Sequence, residues 1–415
     1  MAIKPATEEG AVDTAKVDAT TPPPQLSDAR RVSTVRLRLP DTIKTSLSFI
    51  AFIVVFVVYA FWLGASFASG QQRLLDVHQN VPLLLIALGI AICMAAGQFD
   101  LSVGSMATLT CYLTVGLVVN QQWPFWLVLV IVVGVGLAGG LLNSFLTIVI
   151  GVNPFIATLG VGAVLSGLSQ VYSGGTQISP GINGPTLPTW FSGIGSVGSF
   201  QTKVPLTLTW VLLVLVMIAV TLVLLERRGG STWSLIAIGA LDIALVVAGG
   251  VFHSFLREMS WLVVFVILVG LVAWVALRYT TYGRHLYATG GNSAAARLAG
   301  VHVERVRVSA FVASGILSSI AGIVLVSVQG SASPEIGAGF LLPAFAAAFL
   351  STVLLSSGRF HVWGTLIGAI FVVWVGQGLV VGGVPFTWGS VISGVVLVTA
   401  VSLSSLLKRG DRRVQ

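Results

Sequence analysis

Residues 124–150 read PFWLVLVIVVGVGLAGGLLNSFLTIVI, apolar almost throughout and without one charged side chain. As an α-helix rising 1.5 Å per residue, about 20 such residues cross a ~30 Å hydrocarbon layer. Runs of the same kind recur at about 43–63, 80–98, 102–120, 154–172, 206–225, 233–252, 260–277, 308–328, 338–356, 363–382 and 386–406, which makes twelve candidate spans. Composition agrees with them. Of the 415 residues 55% are hydrophobic and 9% charged, against roughly 25% charged in soluble domains. A soluble enzyme, a secreted disulfide scaffold and a disordered chain are excluded. The expected fold is all-α, a polytopic membrane protein of about twelve transmembrane helices, some of them broken.

Charge sets the expected orientation. Lysine and arginine exceed aspartate and glutamate by 22 to 14. All the basic residues except Arg73, Lys203 and Arg257 fall on one side of the twelve-span layout, and the positive-inside rule makes that side cytoplasmic. The excess therefore speaks for membrane topology and not for nucleic acid. Both termini are expected inside, as are a disordered tail at 1–42, the short tail 407–415 and the long polar loop 278–307. The Gly-, Pro- and Ser-rich segment 173–205 is expected outside, as a solvated loop or a docking surface. Trp62, Trp123, Trp126, Trp210, Trp233, Trp261, Trp363 and Trp388 fall near span ends, where interfacial aromatics belong. Cys93 and Cys111 sit inside apolar runs and define neither a disulfide nor a metal site.

Several spans carry breakers. Asn80-Val81-Pro82 opens one span and Gly97-Gln98-Phe99-Asp100 closes it, and Asn153-Pro154-Phe155 opens another. Broken helices are tolerated where neighbours satisfy the freed backbone. Gly136 and Gly140, like Gly364 and Gly368, have the four-residue spacing of close helix contacts. The turn Gly358-Arg359-Phe360-His361 reads like Gly97-Gln98-Phe99-Asp100, as an internal duplication would.

No phosphate-binding loop is present, because none of the lysines (Lys4, Lys16, Lys44, Lys203, Lys408) follows a glycine. No catalytic triad or metal-ligand spacing is discernible. One acid, Asp242, lies deep in a span. Intramembrane acids lean towards function, so Asp242 is either the proton or cation site of a stand-alone ion-coupled carrier or an acid packed against a polar neighbour. The remaining polar content of the spans is neutral. Asn143, Phe155, Thr158, Gln170, Gln329 and Gln377 are candidates to line a pathway, since amides, hydroxyls and aromatic faces suit an uncharged, hydroxylated cargo.

The loop 278–307 is the most informative polar segment. Asn292 or Ser293 can cap a helix, Ala294, Ala295 and Ala296 favour one, and Gly300 stops it. The expected two-turn helix shows a small apolar face of Ala295, Ala296, Leu298 and Ala299. So short a helix is unstable alone in water. It docks either on its own bundle or on another protein.

The loop resembles the coupling loop of sugar-type ABC importer permeases, the ribose, xylose and arabinose permease family. The pattern is carried by Gly283, Arg284, Tyr287, Ala288, Gly290, Gly291, Asn292, Ala295, Ala296, Arg297 and Gly300. Asp100-Leu101-Ser102-Val103-Gly104 is similar to a second motif of the family, with Gly97-Gln98 where the family has two glycines. Asn153-Pro154-Phe155-Ile156-Ala157-Thr158-Leu159-Gly160 is similar to a third. The likeness runs from about residue 80 to 405, with residues 226–260 resembling two helices that xylose-type members add.

The resemblance implies a permease of the bacterial cell membrane with no ATPase site or cofactor of its own. Separate ATPase subunits would bind ATP and grip the coupling residues Gly283, Arg284, Tyr287, Gly290, Gly291, Asn292, Ala295, Ala296, Arg297 and Gly300. An extracytoplasmic sugar-binding protein would deliver a monosaccharide, and a second copy of the chain would complete the pore. Ala296→Trp or Arg297→Glu is then expected to uncouple the ATPase and leave the spans folded.

Overall fold

A computed structural model describes residues 53–181, 185–196, 203–208, 210–211, 259–354 and 359–412. Asp242, the expected spans 206–225 (all but its first residues) and 233–252, the added segment 226–260 (all but its last two residues), and the tail 1–42 lie outside the described residues. Among those described there is no β-strand, and the helices of the bundle form one compact unit. The chain is an all-α, multi-pass membrane fold. Among the described residues five helices are long and apolar enough to cross a membrane, or six when a bent pair counts as one span.

The first helices are α1 (Ile53–Leu63), α2 (Ala65–Ala68), α3 (Gly70–Gln79) and α4 (Val81–Ala95). The last two are the bent pair, turned by 60° at Asn80. Pro82 stands in the first turn of α4, where its missing N–H costs no hydrogen bond. Arg73, on the expected outer side, is buried in α3 against Asp76 (2.9 Å), with its guanidinium 4.0 Å over the Phe67 ring.

Position in the bundle follows from sequence pattern. Helix α4 is apolar on every face and every one of its residues is buried, as an all-round hydrophobic helix must be. It forms the centre with α5 (Val103–Val119) and α12 (Val303–Gln329), and α12 packs on α4, α5 and α6 (Phe125–Ser144). Outer helices α6, α7 (Pro154–Ser173) and α9 (Trp261–Tyr279) bury only about a third of their apolar stretch. Val130, Val149 and Val171 are 70% or more exposed and belong against lipid.

Glycines at the predicted spacing hold the central helices together. A β-carbon at Gly140 would lie 2.6 Å from the Phe311 carbonyl, and one at Gly315 would collide with that of Gly136. Gly364 and Gly368 admit Ser351 and Ala347 in the same way. Without a hydrophobic force between helices in lipid, close backbone approach and interhelical hydrogen bonds supply the association.

Two spans differ from the sequence reading. The run 124–150 is not one regular helix, since α6 passes into a π-type turn at Phe145–Val149. The run 338–356 begins inside the bundle. After α12 the chain turns back along α5: the Ser331 carbonyl accepts from Cys111 Sγ (3.9 Å) and the Gly337 N–H donates to Thr108 Oγ1 (3.0 Å). A 3₁₀ turn at Ala338–Phe340 then starts α13, described over Leu341–Leu354. Helices α14 (Val362–Val381) and α15 (Gly389–Arg412) complete the bundle.

Candidate functional site: the helical elbow at residues 280–301

The loop 278–307 folds into two short helices before α12, namely α10 (Thr281–Gly291) and α11 (Ser293–Leu298). Thr280 caps α10, its Oγ1 accepting from the Gly283 N–H (3.4 Å). Gly283 then lies so close to the end of α9 that a β-carbon would collide with the Leu277 carbonyl. The buried face of α10 is Gly283, Leu286 and Thr289, while Arg284 is exposed.

Two hydroxyls tie α10 to the bundle. Tyr287 donates to the Phe360 carbonyl (2.8 Å), and the Ser309 hydroxyl donates to the Tyr282 oxygen (3.1 Å). Burial raises the Tyr287 phenol above its ordinary value, and Arg359 and Arg278 pull the other way. The group stays a proton donor at neutral pH. At the end of α10, Gly290 meets the α4–α5 turn, where a β-carbon would collide with the Ala95 carbonyl.

Helix α11 follows the sequence reading. Asn292 is its cap, accepting from the Ala295 N–H (3.0 Å), and Gly300 ends it in the left-handed conformation at φ +82°. Gly291, Asn292, Ala295 and Arg297 are exposed. Arg297 Nη2 pairs with Glu304 Oε1 at the start of α12. One expectation is corrected: Ala296 is buried against the chain's own bundle, 5% exposed, and is no part of an open docking face. The large apolar side chain facing outward is Leu298, 91% exposed. A lone leucine among alanines was the available signal for it.

The candidate pathway residues divide. Asn143 and Thr158 are buried among their neighbours. Asn143 Nδ2 donates to Ser102 Oγ (2.8 Å) and Asp100 Oδ1 (3.3 Å), and Thr158 Oγ1 accepts the Leu101 N–H (3.1 Å). Phe155 and Gln170 stand exposed at opposite ends of α7, Gln329 is exposed at the end of α12, and Gln377 is half-buried on α14. Asp100, expected at a span end, is 1% exposed among α5, α6 and α12. At the opposite end of the bundle a short helix α8 (Thr189–Gly195) organises part of 173–205. Trp190 stacks on Trp126 (5.3 Å), the Phe191 carbonyl accepts from Ser327 Oγ (2.6 Å), and His78 bonds both the Gly195 carbonyl and Ser260. The described part of this segment is pinned to the bundle.

A multi-pass bundle of broken and glycine-packed helices, with a capped helical elbow standing off its arginine-rich end, is the build of a transport permease. The chain belongs to the family described as the permease component of branched-chain amino acid transport systems, whose model matches residues 77–251 and 242–401. It is similar to the ribose import permease protein RbsC of Bacillus subtilis, 31% identical over 354 residues, covering 85% of this chain and 89% of the relative. It is also similar to RbsC of Haemophilus influenzae, 27% identical over 87% of this chain and 93% of the relative. A third relative is the autoinducer 2 import system permease protein LsrD of Klebsiella pneumoniae, 28% identical over 82% and 87%. No solved structure matches. The chain is a multi-pass permease subunit of the bacterial inner membrane.

Proposed function

We propose that this chain is the membrane subunit of an ATP-driven importer of a monosaccharide, energised by separate ATPase subunits that bind α10 and α11. The observation that carries the reading is α11 itself: a capped helix presenting Arg297 and Leu298 to solvent, with Arg284 exposed on α10. Leu298 is 91% exposed on a six-residue helix, one too short to be stable alone in water, and its outward side is open to a pocket on another protein. The relatives named for ribose import support the cargo class. An extracytoplasmic binding protein would engage the α8 end, and a second copy of the chain would complete the pore. Twelve spans, with both termini inside, complete the proposed topology.

Uptake decides the cargo and the energy source. Cells or proteoliposomes carrying the assembled importer should accumulate a pentose or hexose with ATP present, and a protonophore should leave uptake intact. Accumulation of branched-chain amino acids in place of sugars, or collapse of uptake with the proton gradient at constant ATP, would refute the reading.

Orientation is tested with single cysteines. Ala295→Cys, exposed on α11, should resist an impermeant thiol reagent in intact cells, and Ser196→Cys, exposed after α8, should react. The reverse pattern would invert the topology.

A further inference from the structure

The elbow is seated on two turns of like sequence. Gly290, at the end of α10, touches the turn that begins at Gly97, and one turn of helix earlier Tyr287 bonds the carbonyl of Phe360. Gly97-Gln98-Phe99-Asp100 leads into α5, and Gly358-Arg359-Phe360-His361 leads into α14. The last residue of each turn accepts a backbone N–H from the helix start that follows it: Asp100 Oδ1 from Ser102 (3.0 Å) and His361 Nδ1 from Gly364 (3.4 Å). So α10 bears on the entry points of two separate membrane helices.

The first turn is locked more deeply than a helix cap requires. Besides the Ser102 N–H, the Asp100 carboxylate accepts the Ser102 hydroxyl (2.6 Å) and Asn143 Nδ2 (3.3 Å) on Oδ1, and the Ser314 hydroxyl (2.7 Å) on Oδ2. Asn143 belongs to α6 and Ser314 to α12. The next residue, Leu101, donates to Thr158 on α7. A buried carboxylate is costly unless it is hydrogen-bonded on both oxygens, and here the donors come from two helices besides its own segment. At Gly97 the backbone is left-handed, φ +75°, and a β-carbon would stand 3.3 Å from the Gly290 Cα. There is no slack between α10 and the turn.

We propose that displacement of the elbow enters the bundle through these two turns, with Asp100 as the positioning residue that moves α5, α6 and α12 together with the first of them. This rests on the reading that ATPase subunits grip α10 and α11. A push on α10 meets backbone at Ala95 and Gly97, five and three residues before Asp100 in the chain. The Tyr287 to Phe360 bond carries the same displacement to α14.

The test measures sugar taken up per ATP hydrolysed, in the importer reconstituted with its ATPase and binding protein. Tyr287→Phe, which removes only the hydroxyl, and Ser314→Ala, which removes one donor from Asp100, should each lower that ratio several-fold in complexes of normal subunit composition. Asp100→Asn, which places an amide N–H₂ against donors, should lower it further. A merely structural role predicts less assembled complex with an unchanged ratio, and an unchanged ratio in Tyr287→Phe and Ser314→Ala overturns the proposal even if Asp100→Asn does not accumulate. A wild-type permease that binds no ATPase overturns the functional reading beneath it, and this one with it.

Discussion

Replacing Leu298 with glutamate is expected to strip the ATPase from the permease and abolish ATP-driven uptake, while the permease still accumulates in the membrane. The side chain is 91% exposed and ends a helix whose other apolar contact, Ala296, faces inward, so the change removes nothing from the bundle. If a partner pocket covers Leu298, truncating such an anchor costs about 2 kcal/mol or more, a roughly thirtyfold loss of affinity. Glutamate adds the cost of burying a carboxylate. Copurification of the ATPase with detergent-extracted permease measures the first effect and uptake the second. Arg297→Glu should act more weakly, because it replaces an exposed pair with Glu304 by two like charges, and exposed pairs contribute about 0–1 kcal/mol. Ala296→Trp should behave differently from both: the bulk is forced between α11 and its own bundle, and permease accumulation should fall. Retained ATPase and normal uptake in Leu298→Glu would exclude α11 as the docking helix.

Leu298 also shows where sequence reading ends. Cap and stop residues were legible because they act within a few residues of chain. Asn292 accepts from Ala295, and Gly300 adopts a positive φ that other residues resist, and both roles follow from local sequence. Helix α10 was not legible. Its residues include Gly283, Gly290 and Gly291, poor helix formers, and what holds it helical is tertiary: Leu286 buried, Tyr287 bonded to Phe360, Gly283 against Leu277. For the same reason a one-dimensional pattern gave no means to tell Ala296 from Ala295, although one is buried and its neighbour exposed.

The polar residues of the spans divide along the same line. Asn143 and Thr158 have the chemistry to meet a sugar, and nothing in their own helices separates them from Gln170. Only the folded chain brings Asp100 and Leu101 to them, from more than forty residues away in sequence. Hydropathy, in contrast, is cumulative over twenty residues, so the membrane class was plain even where a π-type turn or a return along α5 interrupts a run. The glycine spacing was legible for a similar reason, since four residues return to one helix face.

That glycine seam carries the second large effect. Gly315→Leu on α12 is expected to prevent stable folding of the permease, and Gly134→Leu on α6 to leave it intact. At Gly315 a β-carbon would collide with the Gly136 carbonyl and stand 3.0 Å from the Gly140 nitrogen. The obstacle is backbone, so no side chain can rotate away and the two helices must part. Overpacking costs about 1–3 kcal/mol where neighbouring side chains can yield, and more where they cannot. Parting α12 from α6 would also draw Ser314, the adjacent residue, away from Asp100, and Asn143 from the same node. The two losses therefore compound, since residues that share a network do not act independently. Gly134, two residues before Gly136, is exposed and has nothing within 4 Å of the position a β-carbon would take, and leucine there meets lipid. The pair shares residue type and substitution and differs only in what the new side chain meets. Yield of monodisperse permease after detergent extraction, and its melting temperature, should drop sharply for Gly315→Leu and match wild type for Gly134→Leu. Equal yields and equal melting temperatures for the two variants would contradict the close packing of α6 on α12.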